Sequence, residues 1–130
     1  MDDCIFCKII NGEIPSAKVY EDDKFLAFLE IRPVNNGHVL VIPKDHHKNI
    51  WVMPPELLGE MMGAVQKVGS AVKEATNCHY VNVTVMGVDI DHAHIHLIPR
   101  HKDDGLEFWP QHDYKEGEMN EFKEKIASNL

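Results

Sequence analysis

The chain lacks most of what secreted, membrane-spanning and nucleic-acid-binding proteins depend on. It has only three cysteines in 130 residues. An odd number so small argues against a disulfide framework and fits a reducing compartment. No apolar run approaches the ~20 residues needed to cross a bilayer. The acidic start MDDCIFCKII is unlike a secretory signal or a transit peptide. These features predict a cytoplasmic protein with no membrane partner. Basic residues are scarce, with 13 Lys and Arg against 21 Asp and Glu and a net charge of −8. They form no stripe interleaved with aromatics, which argues against duplex nucleic acid as a main partner, since that affinity rests on neutralising phosphates. A small anionic ligand needs only a few local donors, and Lys44, Arg100, His101 and Lys102 lie in candidate segments. Repeats, low-complexity tracts and linkers are also missing. Residues 1–130 are therefore expected to form a single domain around one core.

Histidine is plentiful by contrast, with nine in the chain. Three stand at alternate positions in His92-Ala93-His94-Ile95-His96-Leu97-Ile98-Pro99-Arg100. On a β-strand such residues share one face, while Ala93, Ile95 and Leu97 enter the core from the other. Side chains two residues apart on a strand are separated by roughly 6.5 Å, within joint reach of one phosphate or metal. In a helix the same spacing would scatter them by about 100° per residue. From spacing alone three uses stay open: ligands of a catalytic metal, a structural cluster, or a nucleophilic imidazole with orienting neighbours.

The remaining pattern places these histidines in a fold. Cys4 to Asn11 reads as a short helix closed by Asn11-Gly12, with Pro15 barring continuation. Lys18–Glu21 and Lys24–Ile31 read as a hairpin about Asp22-Asp23, and His38–Ile42 as an apolar strand ended by Pro43. A loop or helical turn carries His46 and His47. Between Pro55 and Ala75, apolar residues recur every three or four positions, the mark of an amphipathic helix, with Asn77 as its stop. His79–Met86 is a fourth strand, and the triad strand follows Gly87 and ends at Pro99. His101–Gly117 is a polar loop with Phe108 and Trp109, and Glu118–Ala127 a final short helix. This order predicts an α+β fold: an antiparallel sheet of about five strands with one main helix.

Cys4-Ile5-Phe6-Cys7 is a CxxC. No strand precedes it, as a thioredoxin-like redox pair would require, so metal binding with two further ligands is the better reading. The His46-His47 segment can supply one. Cys78 reads as a packing residue.

With these segments in view, the chain resembles the histidine triad family of nucleotidyl hydrolases and transferases. The His92–Ile98 signature is joined, in family order, by Cys4–Ile10, Gly12–Ser16, Val19–Asp22 and Gly37–Lys44. The resemblance implies a HIT-like sheet extended across a homodimer through the main helix, with its Gly59 and Gly63, and the fourth strand. It implies hydrolysis or transfer of a nucleotide, with a purine as the base. His94 attacks the α-phosphate to form a nucleotidyl-imidazole, His96 steadies the phosphate as a protonated neighbour, and His38 assists. It implies structural zinc on Cys4, Cys7, His46 and His92. Glu30, where aspartate is usual, would accept the ribose hydroxyls, and Phe6, Phe28 and Ile31 would sandwich the base. One departure concerns the link before the triad. Val88 stands where the family commonly has glutamine, and Asp89 at the neighbouring polar position. An ionised Asp89 would repel phosphate and is expected to face away. Two rivals remain: a degenerate nucleotide-binding interaction module, and a metallohydrolase using the three histidines as catalytic ligands.

Overall fold

A computed structural model of the protein describes residues 3–107 and 109–130; Phe108 of the expected polar loop lies outside them. Five strands form one antiparallel sheet: β1 Lys18–Glu21, β2 Phe25–Leu29, β3 Val39–Pro43, β4 Tyr80–Thr84 and β5 Ile95–Arg100. Their spatial order is β1-β2-β3-β5-β4. Three helices accompany them: α1 Ile5–Ile10, α2 Pro55–Thr76 and α3 Glu118–Ala127, with a 3-10 turn at Ile50–Val52. This is the α+β fold expected. Among the described residues no helix is long and apolar enough to cross a membrane.

Strand alternation sorts the core onto two faces of the sheet. Phe25, Ala27, Val39, Val41, Ile95 and Leu97 meet Met61, Ala64, Val65, Val68 and Val72 of α2 on one face. Leu26, Phe28, Leu40 and Ile42 meet Phe6 and Ile9 of α1 on the other. With both faces covered, β2 and β3 become continuous apolar runs rather than alternating ones. Helix α2 starts with Pro55, whose missing N–H is no loss in the first turn. It stops at Asn77, which is left-handed (φ 51°) and returns its N–H to the Lys73 carbonyl. Gly37 sits at φ +98° just before β3, where an added Cβ would lie 2.7 Å from Thr76 Cγ2.

The expected triad strand is too long, and so is the Lys24–Ile31 strand. Regular β5 begins only at Ile95, so His92 and His94 precede it and only His96 lies in the ladder. The reason lies on the neighbouring strand. In the β3–β5 register, Val41 pairs with Ile95, so the next rung would set Pro43 opposite Ala93. Pro43 has no N–H to give, and its carbonyl is taken by the His92 ring. The Ala93 N–H turns instead to the His47 carbonyl at 2.7 Å. Ala93, Ile95 and Leu97 are nevertheless buried in the core, as the alternation requires.

Candidate functional site

His96 pairs across to Leu40 of β3 and so lies on the α1 side of the sheet. It meets His94 there, ring centroids 5.2 Å apart. Both line a cavity of about 120 Å³ with Phe6, Glu30, Leu40 and the Met86–Ile90 segment. His92 and His94 are buried.

The hydrogen bonds settle which ring nitrogen carries each proton. His94 Nδ1 lies 2.7 Å from the His92 carbonyl. A carbonyl only accepts, so Nδ1 is the protonated nitrogen of the neutral ring and Nε2 keeps its lone pair. A second series begins at Val34, whose N–H donates to His38 Nδ1 at 3.1 Å. His38 must then carry its hydrogen on Nε2, which donates to His96 Nδ1 at 2.9 Å. Neutral His96 therefore presents an Nε2–H donor, and the pair offers an unprotonated ring nitrogen beside a hydrogen-bond donor.

Burial lowers the proton affinity of His38. It also pushes His96 from 6.5 down to about 4, helped by the positive neighbours His94 and His38 would become. Burial thus works against the protonated His96 that the resemblance implies. Glu30 is the counterweight, its negative charge favouring protonation of both rings.

A second cluster lies on the other side of His92. Cys4 caps α1, its Sγ accepting from the Cys7 N–H at 3.4 Å. Cys4 Sγ is 3.3 Å and Cys7 Sγ 3.6 Å from His92 Nδ1, and Cys7 Sγ is 3.3 Å from His46 Nδ1. The four ligand atoms all lie within 4.8 Å of one another. Zn–S bonds of about 2.3 Å and Zn–N bonds of about 2.0 Å would separate tetrahedral ligands by roughly 3.5 Å. The His92 Nε2–H donates to the Pro43 carbonyl at 2.8 Å, which fixes its tautomer and leaves the Nδ1 lone pair toward the thiols. Burial and the neighbouring Cys4 push the Cys7 thiol up to about 11, a penalty that a divalent cation would reverse. The donor set fits a metal, and the cluster takes His46, not His47, as the motif reading had it.

The other sequence candidates fall in different places. Phe6 packs edge-on against His94 (5.3 Å), His92 (5.7 Å) and Phe28 (5.6 Å), which joins it to both clusters. Glu30 borders the cavity and accepts from the Arg32 N–H. Ile31 is 90% exposed and outside the cavity wall, and Phe28 belongs to the core. Asp89, expected to face away, lines the cavity beside His94 and His96. Lys44 and Arg100 are engaged with Glu21 and Asp104, and no Lys or Arg is among the lining residues. Sequence reasoning passed over the backbone groups of Val34, Pro43, His47 and His92, which carry no side-chain signature; only the proline was visible.

Comparison with known proteins adds a separate line. Residues 11–103 match the model of the HIT domain. The chain is 42% identical over 138 aligned residues to the Bacillus subtilis "Protein hit", covering 99% of this chain and 95% of that one. It is 36% identical over 130 residues to an adenosine 5′-monophosphoramidase of Schizosaccharomyces pombe, covering 98% of each. Among solved structures, one from Streptococcus mutans superposes with a TM-score of 0.91 at 36% identity, covering 99% of this chain and 86% of that one. A zinc-bound histidine triad protein of Mycobacterium smegmatis superposes with a TM-score of 0.77 at 31% identity, covering 99% of each.

Proposed function

The chain belongs to the HIT domain family, and from that premise we propose that it cleaves nucleoside 5′-phosphoryl bonds through a covalent nucleotidyl-His94 intermediate. The observation that carries this reading is the 2.7 Å bond from His94 Nδ1 to the His92 carbonyl, which leaves Nε2 as a nucleophile beside the cavity. Nε2 attacks the α-phosphorus as the bond to the leaving group breaks. The Nε2–H of His96, whose Nδ1 already accepts from the His38 Nε2–H, donates to the phosphate oxygens as charge moves, and the leaving group takes its proton from water. Water, or another acceptor, attacks the nucleotidyl-imidazole and releases the nucleotide. The names of the fungal relatives, adenosine 5′-monophosphoramidases, support a phosphoramidate of adenosine as substrate. Glu30 and Asp89 border the site, and Phe6 offers a face to a purine.

Several further parts of the reading rest on the same frame. Cys4, Cys7, His46 and His92 would hold zinc, which supplies structure when bound. Strand β4 is an open edge with Val83 exposed. An added Cβ at Gly59 or Gly63 of α2 would meet nothing within 4 Å, so these glycines do not serve packing on their own sheet. A homodimer joining β4 edges and α2 helices would cover both features. A cluster of reduced thiols suits the cytoplasm. The chain as a whole is read as one such domain.

The test is incubation with adenosine 5′-phosphoramidate and, separately, dinucleoside polyphosphates, followed by product analysis and intact mass. A nucleotidyl adduct that vanishes in His94→Ala is expected. Undiminished turnover in His94→Ala would overturn the mechanism. Binding without turnover of any nucleotide would favour an interaction module, the role to which the exposed Val88 of the short link lends itself.

A further inference from the structure

We infer that the Cys4–Cys7–His46–His92 cluster is a positioning device for the His94 ring, and not only a staple of the fold. This rests on the nucleotidyl-transfer reading for its kinetic consequence, but its geometry stands alone. His94 precedes β5, so no sheet ladder holds it. The His92–His94 tripeptide is held by other ties. The His92 ring faces the two thiols. The Ala93 N–H bonds the carbonyl of His47, the residue after His46. The His94 ring leans on Phe6, which lies between Cys4 and Cys7, and its Nδ1–H is held by the backbone of His92 itself. Each of these ties ends on a cluster residue or on a residue beside one. From the sheet the segment is held by the Pro43 carbonyl, by the His96 ring against His94 and by the burial of Ala93.

The consequence follows from the length of α1. Six residues form no stable helix unaided, so the fit of Phe6 against His94 depends on the pinning of Cys4 and Cys7 as well as on the packing of Phe6 and Ile9 in the core. Metal on the four ligands would pin α1, the His46 loop and His92 together. Without it, His92 can turn, its carbonyl moves, and the hydrogen on His94 Nδ1 loses its fixed acceptor. Both tautomers of His94 then become populated, and only one leaves Nε2 free to attack. Support of this kind around a reacting group is typically worth about 10–100-fold in activity.

The test compares zinc-loaded protein with the same protein after chelation, and with Cys7→Ser, each labelled with ¹⁵N-histidine. The His94 ring signals are assigned through His94→Ala, at one fixed pH. Loaded protein is expected to show a single Nδ1–H tautomer. Chelated protein and Cys7→Ser should show averaging of the two ring nitrogens with the far-ultraviolet dichroism retained. In nucleotide assays kcat should fall at least about tenfold, with KM changed far less. A His94 tautomer and kcat that survive metal loss would overturn the inference. Should the metal-free protein unfold, Phe6→Leu decides: it keeps all four ligands, so metal content should stay constant while kcat falls and the tautomer averages. Unchanged kcat and tautomer there would sink the idea. If no form turns over any nucleotide, the proposed activity fails, while the ring signals still judge the positioning claim.

Discussion

Replacing His38 by alanine tests the hydrogen-bond series that sets the His96 tautomer. The substitution removes the donor 2.9 Å from His96 Nδ1 and frees the Val34 N–H. Val34 is exposed, so water can take that N–H. His96 loses one neutral hydrogen bond, a net of about 1 kcal/mol, and the buried imidazole leaves a small void costing about 1 kcal/mol more. A total near 2 kcal/mol in a chain of this size should lower Tm by about 8 °C. The kinetic effect differs. Deleting a transition-state donor outright costs about 10²–10³ in kcat, but His96 keeps its ring and can still adopt the Nε2–H form. The penalty is then only the ~1 kcal/mol that had enforced that form, about five- to tenfold in kcat. His38→Gln places an amide N–H near the lost Nε2–H and should recover kcat to within about threefold. The assays are steady-state kinetics on adenosine 5′-phosphoramidate and a thermal melt. A His38→Ala protein with lowered Tm and normal kcat would refute the argument, and so would His38→Gln kinetics no better than His38→Ala.

Acid should weaken the fold through the same rings. Folded His96 resists protonation down to about 4 against an ordinary 6.5, and burial lowers His38 in the same direction. Between those pH values the unfolded chain binds the proton that folded His96 refuses. Stability is therefore full above about pH 6.5 and lost as pH falls toward 4. The linkage for His96 is at most about 3 kcal/mol, reduced to about 1–2 kcal/mol by solvent around a half-buried ring. Urea melts across this range should show the loss, and His96→Gln should flatten it; equal slopes in the two proteins would count against the assignment. At Gly37 the backbone is left-handed and a methyl would meet Thr76 Cγ2. Gly37→Ala should cost about 2–3 kcal/mol, of which about 1 kcal/mol should be recovered by Thr76→Ser, which removes that methyl. Denaturant midpoints measure both, and a cost independent of residue 76 would show the clash to be unimportant.

What could be read in the residues, and what could not, divides along a physical line. Helix α3 begins and ends where the pattern put it, and α2 extends one residue beyond its expected end, because periodicity and end signals are side-chain properties. Of the residues that could hold a metal, the CxxC was legible by type and spacing, whereas His46 and His92 were singled out only through the family resemblance. The triad strand was misjudged over His92–His94 because alternation reports which face a side chain takes, not whether the backbone between is paired. Ala93 still points into the core although its N–H has left the ladder for His47. Pairing is decided by the partner strand, and the partner here ends on Pro43. The break in the ladder also has a chemical use. It releases the carbonyls of Pro43 and His92 from sheet bonding, and those two groups fix the tautomers of His92 and His94. A strand continuous through all three histidines would have engaged the His92 carbonyl and left His94 free to choose either tautomer. The same irregularity that defeats the strand reading therefore fixes the His94 tautomer on which the proposed mechanism depends.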